Sequence, residues 1–276
     1  MNNSLPKFTV LIPIYFKENP EFFKDAINSI LNQTLPPDEI LIVADGPLTE
    51  NLDQILNEYI EKYSQIFTVV RLAQNMGMGY AMTTGVKQAK YQIIARMDSD
   101  DIAKPQRFDI QLRFLVEHPE VDIVGSWIDE FHNQPGDVIR QRKLPEKHED
   151  IVNFAKKRCP FNHMTVMYKK DKVLNAGAYW EKRMFEDYHL WYQMIRSGCI
   201  MHNLPISLVS ARIGNNMVGR RRGWHYLKTE NSFFQIMKQD NFISSFGYYR
   251  IMFIRAIFRI MPSSVLAPLY KFLLRR

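Results

Sequence analysis

Through the first half of the chain, short β-branched runs alternate with longer segments of helical period. Parallel strands need a crossover between them, so this rhythm predicts βαβ units and an α/β fold built on a parallel sheet. Residues 8–15, 39–44, 67–72 and 92–97 read as strands. Asn19-Pro20 reads as a helix start, with Phe23, Ile27, Ile30 and Leu31 as its apolar stripe. Further helices are expected over about 49–64, from the Gly77 and Gly79 turn to about 90, and from Pro105 through Phe108, Leu112 and Leu115. Ligands of open α/β sheets bind beyond the carboxyl ends of the strands, which puts Asp45 and the run Asp98-Ser99-Asp100-Asp101 on one rim. Past 121–131 the rhythm changes to a turn at Pro135-Gly136, a helix near 149–157, a strand at 164–168 and a helix at 187–197.

Composition narrows the class. At 276 residues with 46% hydrophobic positions, the chain supports one large domain and a smaller appendage. Cys159 and Cys199 have neither a pairing pattern nor metal-ligand spacing, which suits a reducing compartment and points to the cytoplasm. The N-terminus carries no export-signal pattern. No run reaches the ~20 apolar residues of a membrane span, because Arg255, Arg259, Pro262 and Pro268 break the late apolar segments. The net charge of +7 is lopsided: beyond Asp240 there is no acid, while Arg250, Arg255, Arg259, Lys271, Arg275 and Arg276 are spread among apolar residues. On a helix, Ile251, Ile254, Phe258 and Met261 share one side and Arg255 and Arg259 another, a pattern that suits a membrane surface or packing on a domain. Nucleic acid is not an expected partner, since acids and bases are mixed through the first two hundred residues and no recognition motif appears.

Three carboxylates at a strand end, Asp98, Asp100 and Asp101, form a hard-cation site suited to Mg²⁺ or Mn²⁺; the same run also suits a helix cap with solvated neighbours. Asp45 in Ile-Val-Ala-Asp-Gly faces a nucleotide crevice or simply makes a turn. Glu186-Asp187, at a helix start, offers a general base in a place where the helix dipole stabilises an anion anyway. His163 contacts an acceptor or satisfies a loop carbonyl, and Arg220-Arg221-Arg222 steers a pyrophosphate or is a solvated run.

Taken in order, Thr9-Val10-Leu11-Ile12-Pro13-Ile14-Tyr15, Ile42-Val43-Ala44-Asp45-Gly46, Asn75-Met76-Gly77, Met97-Asp98-Ser99-Asp100-Asp101 and Glu186-Asp187 resemble family 2 glycosyltransferases, across roughly 8–215. Asn162-His163, Gly177-Ala178-Tyr179 and Arg220-Arg221-Arg222-Gly223 resemble the bacterial members that build surface polysaccharides and lipopolysaccharide. The resemblance implies a GT-A fold, a Rossmann-like mixed sheet flanked by helices: a catalytic domain over 1–218, with a nucleotide-sugar half (1–131) and an acceptor half (132–218), then a basic amphipathic helical tail over 219–276.

It further implies an inverting transfer of a hexosyl or N-acetylhexosaminyl group from a nucleoside-diphosphate-sugar, a UDP-sugar, assisted by Mn²⁺ or Mg²⁺. The donor would meet Pro13, Tyr15, Asp45, Asn75, Gly77, Asp98, Ser99 and Arg220, with Asp45 on the base, Asp98 on the ribose or metal and Asp100 on the metal. Asp187 would be the catalytic base, and His163, Glu186 and Trp191 would line the acceptor side. Ala44 departs from the family, which often has another Asp there. No Gln-x-x-Arg-Trp motif follows Asp187, so transfer is expected to be non-processive. A lipid-linked oligosaccharide acceptor would hold the enzyme peripherally on the inner face of the cytoplasmic membrane, through the basic tail. The alternatives are an Asp-x-Asp phosphotransferase or phosphatase, which usually carries that motif after its first strand, whereas three βα units precede it here, and a non-enzymatic membrane or nucleic-acid binding protein.

Overall fold

Four strands form the first half of the sheet: β1 (Phe8–Ile14), β2 (Glu39–Ala44), β3 (Phe67–Arg71) and β4 (Ile93–Arg96). They lie parallel in the order β3-β2-β1-β4. β1 and β2 are buried along their whole length, as strands covered on both faces must be. The computed structural model describes residues 5–182, 184–214 and 223–260, which divide into two compact units, Met1–Ile213 and Gly214–Arg276.

Side chains alternate across each strand, and the core follows in two layers. Val10, Ile12 and Ile14 pack with Phe23, Ile27 and Ile30 of α1 (Pro20–Leu31), Leu52 and Leu56 of α2 (Glu50–Lys62), and Phe108 and Leu112 of α4 (Arg107–Glu117). On the other face, Leu11, Leu41 and Val43 pack with Met82 and Val86 of α3 (Met78–Gln88) and Leu190, Trp191 and Met194 of α7 (Glu186–Arg196). The Asn19 side chain caps α1, accepting from the Glu21 and Phe22 amides at 2.9 and 3.3 Å, and Pro20 opens its first turn.

Beyond β4 the sheet becomes mixed. β8 (Met167–Lys169) runs antiparallel to β4 and to β6 (Val121–Phe131), which runs parallel to β9 (Ile200–Arg212). The edge strand β5 (Ile102–Ala103) is antiparallel to β9, and β7 (Val138–Arg142) is antiparallel to β6. The strand expected at 164–168 begins only at Met167, because His163–Thr165 coils into a 3₁₀ turn first. β9 lies in a stretch to which the sequence assigned no element, and it carries Pro205 within it. The structure accommodates Pro205 at a register shift, where Ser126 pairs with Leu204 and Trp127 with Ser207, so its missing N–H interrupts no regular ladder. Two short helices, α5 (His148–Ala155) and α6 (Lys170–Asn175), complete the first unit.

The second unit contains α8 (Gly223–Gln239) and α9 (Ser245–Ile260). Here one expectation is corrected. Arg255 and Arg259 do not project to a free face, because both pair with the fully buried Glu230: Arg255 in a short contact and Arg259 Nε at 3.1 Å. A buried carboxylate requires countercharge, and these two residues supply it. Exposure falls instead on Phe246, Tyr249, Phe253, Ile254 and Ile257. Met261 and the basic residues after it lie outside the described residues. No helix among the described residues is long and apolar enough to cross a membrane.

Candidate active site

The strand order reverses between β1 and β4: β2 and β3 extend to one side of β1 and β4 lies on the other. A crevice opens at such a switch point beyond the strand ends. Pro13 and Tyr15 close β1 there, and Asp98-Ser99-Asp100-Asp101 follows β4.

Each carboxylate of the run has a different environment. Asp98 forms an ion pair with Arg96 at 2.5 Å. Asp101 is buried, accepts from the Arg212 amide at 2.7 Å through Oδ1, and its Oδ2 has no hydrogen-bond partner among the described residues. Burial, then the neighbouring charges of Asp98 and Glu18, push the Asp100 carboxyl up to about 7. Burial, followed by Asp98 and Asp100, likewise raises Asp101 well above the carboxylate range. One oxygen from each of the three can come within 4.8 Å of the others. An all-oxygen set in which the Asp100 and Asp101 anions are destabilised, with an orphaned buried oxygen on Asp101, fits a hard divalent cation.

Two further residues complete this corner. Glu18, in the loop after β1, accepts a short hydrogen bond from the Ser99 hydroxyl. Arg96 is buried, and its Nε and Nη1 have no partner among the described residues. Its carbonyl accepts from Arg107 Nη2 at 2.6 Å, and burial, then the charge of Arg96, lowers the Arg107 guanidinium to about 9. Neither Glu18 nor Arg96 was singled out in the sequence. A charged residue inside the apolar strand Ile93–Arg96 was the available signal for the second; the first, in a polar loop, carried none.

Asp45, Asn75 and Gly77 are brought together as one unit. The Asp45 carboxylate accepts from Met76 N at 2.6 Å, Gly77 N at 2.9 Å and Asn75 Nδ2 at 2.9 Å. It thereby holds the loop that leads into α3, whose entry residue Gly77 has φ +94°. A carboxylate offers about four acceptor directions, so a nucleotide would find little of its capacity unused.

Glu186 and Asp187 open α7. The Cys159 sulfur lies 3.5 Å from both Asp187 Oδ2 and the Phe161 carbonyl oxygen, two acceptors for its one proton. Burial, then the Asp187 charge, pushes that thiol well up, so it stays protonated. Gly79 in the first turn of α3 permits close approach of this loop: a Cβ there would lie 2.0 Å from the Trp180 carbonyl and 3.2 Å from Glu186 Cγ. Ala178 and Met184 bracket the segment with φ of +59° and +87°, a conformation that costs about 1–3 kcal/mol for such residues.

His163 Nε2 lies 3.0 Å from the Tyr179 hydroxyl. Burial, then Arg96, lowers its imidazole well below the usual range, so the ring is neutral. Trp191 is wholly buried, edge-on to Phe161, His163 and Tyr179 at centroid separations of 5.5, 5.9 and 6.3 Å. It therefore supports the His163 and Tyr179 rings from within the core. Arg220 lies outside the described residues.

The family model described as "Glycosyl transferase family 2" matches residues 9–181. Over 267 residues the chain is 38% identical to the amylovoran biosynthesis glycosyltransferase AmsE of Erwinia amylovora, covering 96% of this chain and 98% of that one. It is 34% identical to the UDP-Gal:alpha-D-GlcNAc-diphosphoundecaprenol beta-1,3-galactosyltransferase of Escherichia coli, covering 100% and 99%. The fold is similar to that of the mannosyltransferase PcManGT from Pyrobaculum calidifontis in complex with GDP-Man and Mn²⁺, with a TM-score of 0.63 at 16% identity over 93% of this chain and 70% of that one.

Proposed function

The chain belongs to glycosyl transferase family 2, and on that premise we propose that it moves a hexosyl group from a UDP-sugar to a hydroxyl of a lipid-linked oligosaccharide, with inversion and one sugar per encounter. The fold is GT-A, and the Asp-x-Asp phosphotransferase and non-enzymatic readings give way to membership of the family. The observation that carries the proposal is the carboxylate cluster Asp98, Asp100 and Asp101 at the switch point, with Asp187 opening a helix on the acceptor half. The choice of UDP and of a lipid-linked acceptor is supported by the Escherichia coli relative, which uses both.

Asp98, Asp100 and Asp101 would hold a divalent ion, Mn²⁺ or Mg²⁺, which when bound neutralises charge on the departing diphosphate. Asp187 takes the proton of the acceptor hydroxyl as its oxygen bonds to the anomeric carbon. The bond from that carbon to the phosphate oxygen breaks, and its electron pair leaves with UDP. Cys159, protonated, lies beside Asp187 without competing for the proton. Neutral His163 and Tyr179 give the acceptor side polar groups free of charge.

Cation binding should depend on pH with a defined sign. Below about 7 the Asp100 carboxyl holds a proton that a cation must displace; above it the anion is ready. Calorimetric titration with Mn²⁺ should therefore give an affinity that rises from pH 6 to pH 8, with proton release at the lower pH. An affinity flat across that range counts against Asp100 as a ligand.

For the tail we infer contact with an anionic membrane face through the stripe Phe246, Tyr249 and Phe253, supported by their 78, 62 and 69% exposure and by the exposed Arg250 beside them. Phe246→Ser with Phe253→Ser should weaken sedimentation of the full chain with phosphatidylglycerol vesicles several-fold, while Arg255→Gln should unfold the helix pair rather than act on lipid. Unchanged sedimentation of the double variant removes the stripe from the membrane.

A further inference from the structure

On the acceptor half, β7, α5 and the segment that follows it enclose a cleft of about 310 Å³ that the chemistry above does not use. Its walls include Arg140, Arg142, Lys143, Phe154, Arg158 and Cys159, and no acidic residue lines it. Arg140 is committed to the buried Glu130 through two bonds, at 2.9 and 3.0 Å. Lys143 sits over the Trp127 ring, 4.9 Å from its centroid, which fixes the ammonium in place. Arg142 and Arg158 have no ion-pair partner among the described residues. The cleft thus presents cations whose charge the fold leaves uncompensated, beside a bidentate arginine that is already anchored.

Its inner end fixes what it faces. Cys159, which lines the cleft, lies 3.5 Å from Asp187 Oδ2. The inner end of the cleft is thus separated by the Cys159 side chain from the carboxylate proposed above to receive the acceptor proton.

We propose that this cleft binds the diphosphate through which the acceptor sugar is joined to its lipid, so that the hydroxyl one pyranose ring away meets Asp187. The inference rests on the lipid-linked acceptor proposed above, and it adds that the enzyme extends a sugar attached directly to the diphosphate rather than one far along a glycan. Guanidinium groups match phosphate oxygens in pairs and hold an anion without a bridging metal. The donor diphosphate has different needs: its site, the Asp98 cluster, is anionic and requires a cation between the two. Two diphosphates are thus told apart by the charge of the protein around them, and the half-buried Phe154 offers an apolar wall where the lipid chain begins.

The test is direct binding to the full chain, with Mn²⁺ and saturating UDP filling the donor site and undecyl diphosphate as the titrant. Wild type should bind it, and Arg142→Glu with Arg158→Glu should weaken it by about tenfold or more, the loss of at least one charged hydrogen bond. Arg158→Glu alone, at an exposed position, should weaken it in the same direction, and both variants should keep wild-type UDP affinity and thermal midpoint. Equal binding by wild type and both variants removes the cleft but leaves the lipid-linked acceptor standing. No binding by wild type removes both. Displacement of UDP by undecyl diphosphate assigns the probe to the donor site and overturns the proposal.

Discussion

Asp100→Ala should end sugar transfer, lowering turnover by about a thousandfold or more, and should leave the metal-free protein at least as stable as wild type. The first half follows from the cluster: three carboxylates share one corner, and an ion held there contributes several kcal/mol to the departure of the diphosphate, each 1.36 kcal/mol being tenfold in rate. The second half follows from the sign of the pKa shift. The Asp100 carboxyl is raised to about 7 by burial, Asp98 and Glu18, so the fold disfavours its ionised form. A carboxyl with a raised native pKa costs stability progressively as pH climbs from its ordinary value toward 7, and that cost is complete above it. The gain on substitution should accordingly be larger at pH 8 than at pH 5. Turnover measured as released UDP, beside thermal midpoints at the two pH values with a chelator present, reads both halves. Turnover that survives the substitution, or that a chelator leaves untouched in wild type, removes the metal role.

Asp187→Asn should lower turnover by about 10² to 10⁴-fold with donor affinity preserved. Asparagine keeps the size of the side chain and still offers an oxygen beside the Cys159 thiol, so the geometry at the start of α7 survives, but the amide cannot take up the acceptor proton. Glu186 is the nearest competitor. Its Cγ lies close to where a Cβ on Gly79 would project, so Glu186 leans on α3 and supports the contact between the two halves. Glu186→Gln should be milder, and its effect should appear in thermal stability as much as in rate. If Glu186→Gln proves the more damaging in turnover, the two carboxylates exchange roles.

The legible part of this molecule was the part governed by period and by strand ends. The buried runs of β1 and β2 admitted one reading because parallel strands covered on both faces are largely apolar. The carboxylate cluster was legible for the same reason, lying where a strand stops. The illegible parts depended on tertiary partners. β7 is exposed along Val-Ile-Arg-Gln-Arg and has no alternation to betray it; it exists because β6 offers an edge. Arg255 and Arg259 read as a basic face until Glu230, 25 and 29 residues earlier, took both. Asp45 read either as a contact for a nucleotide or as a turn residue, and neither reading showed that three of its acceptor directions serve a loop 30 to 32 residues away.

The contact at Gly79 reaches beyond catalysis. Because the Trp180 carbonyl occupies the volume that any larger residue would need, the first turn of α3 and the loop before α7 have to change together. The second half of the chain is thus not a cassette that can be exchanged at the midpoint. A hybrid that borrows its second half from a relative inherits that relative's loop, and with it the requirement for a compatible residue a hundred positions upstream. Crossover points that respect this pairing fall before α3 or after α7, which limits the recombination open to these sequences and to anyone designing new linkages from them.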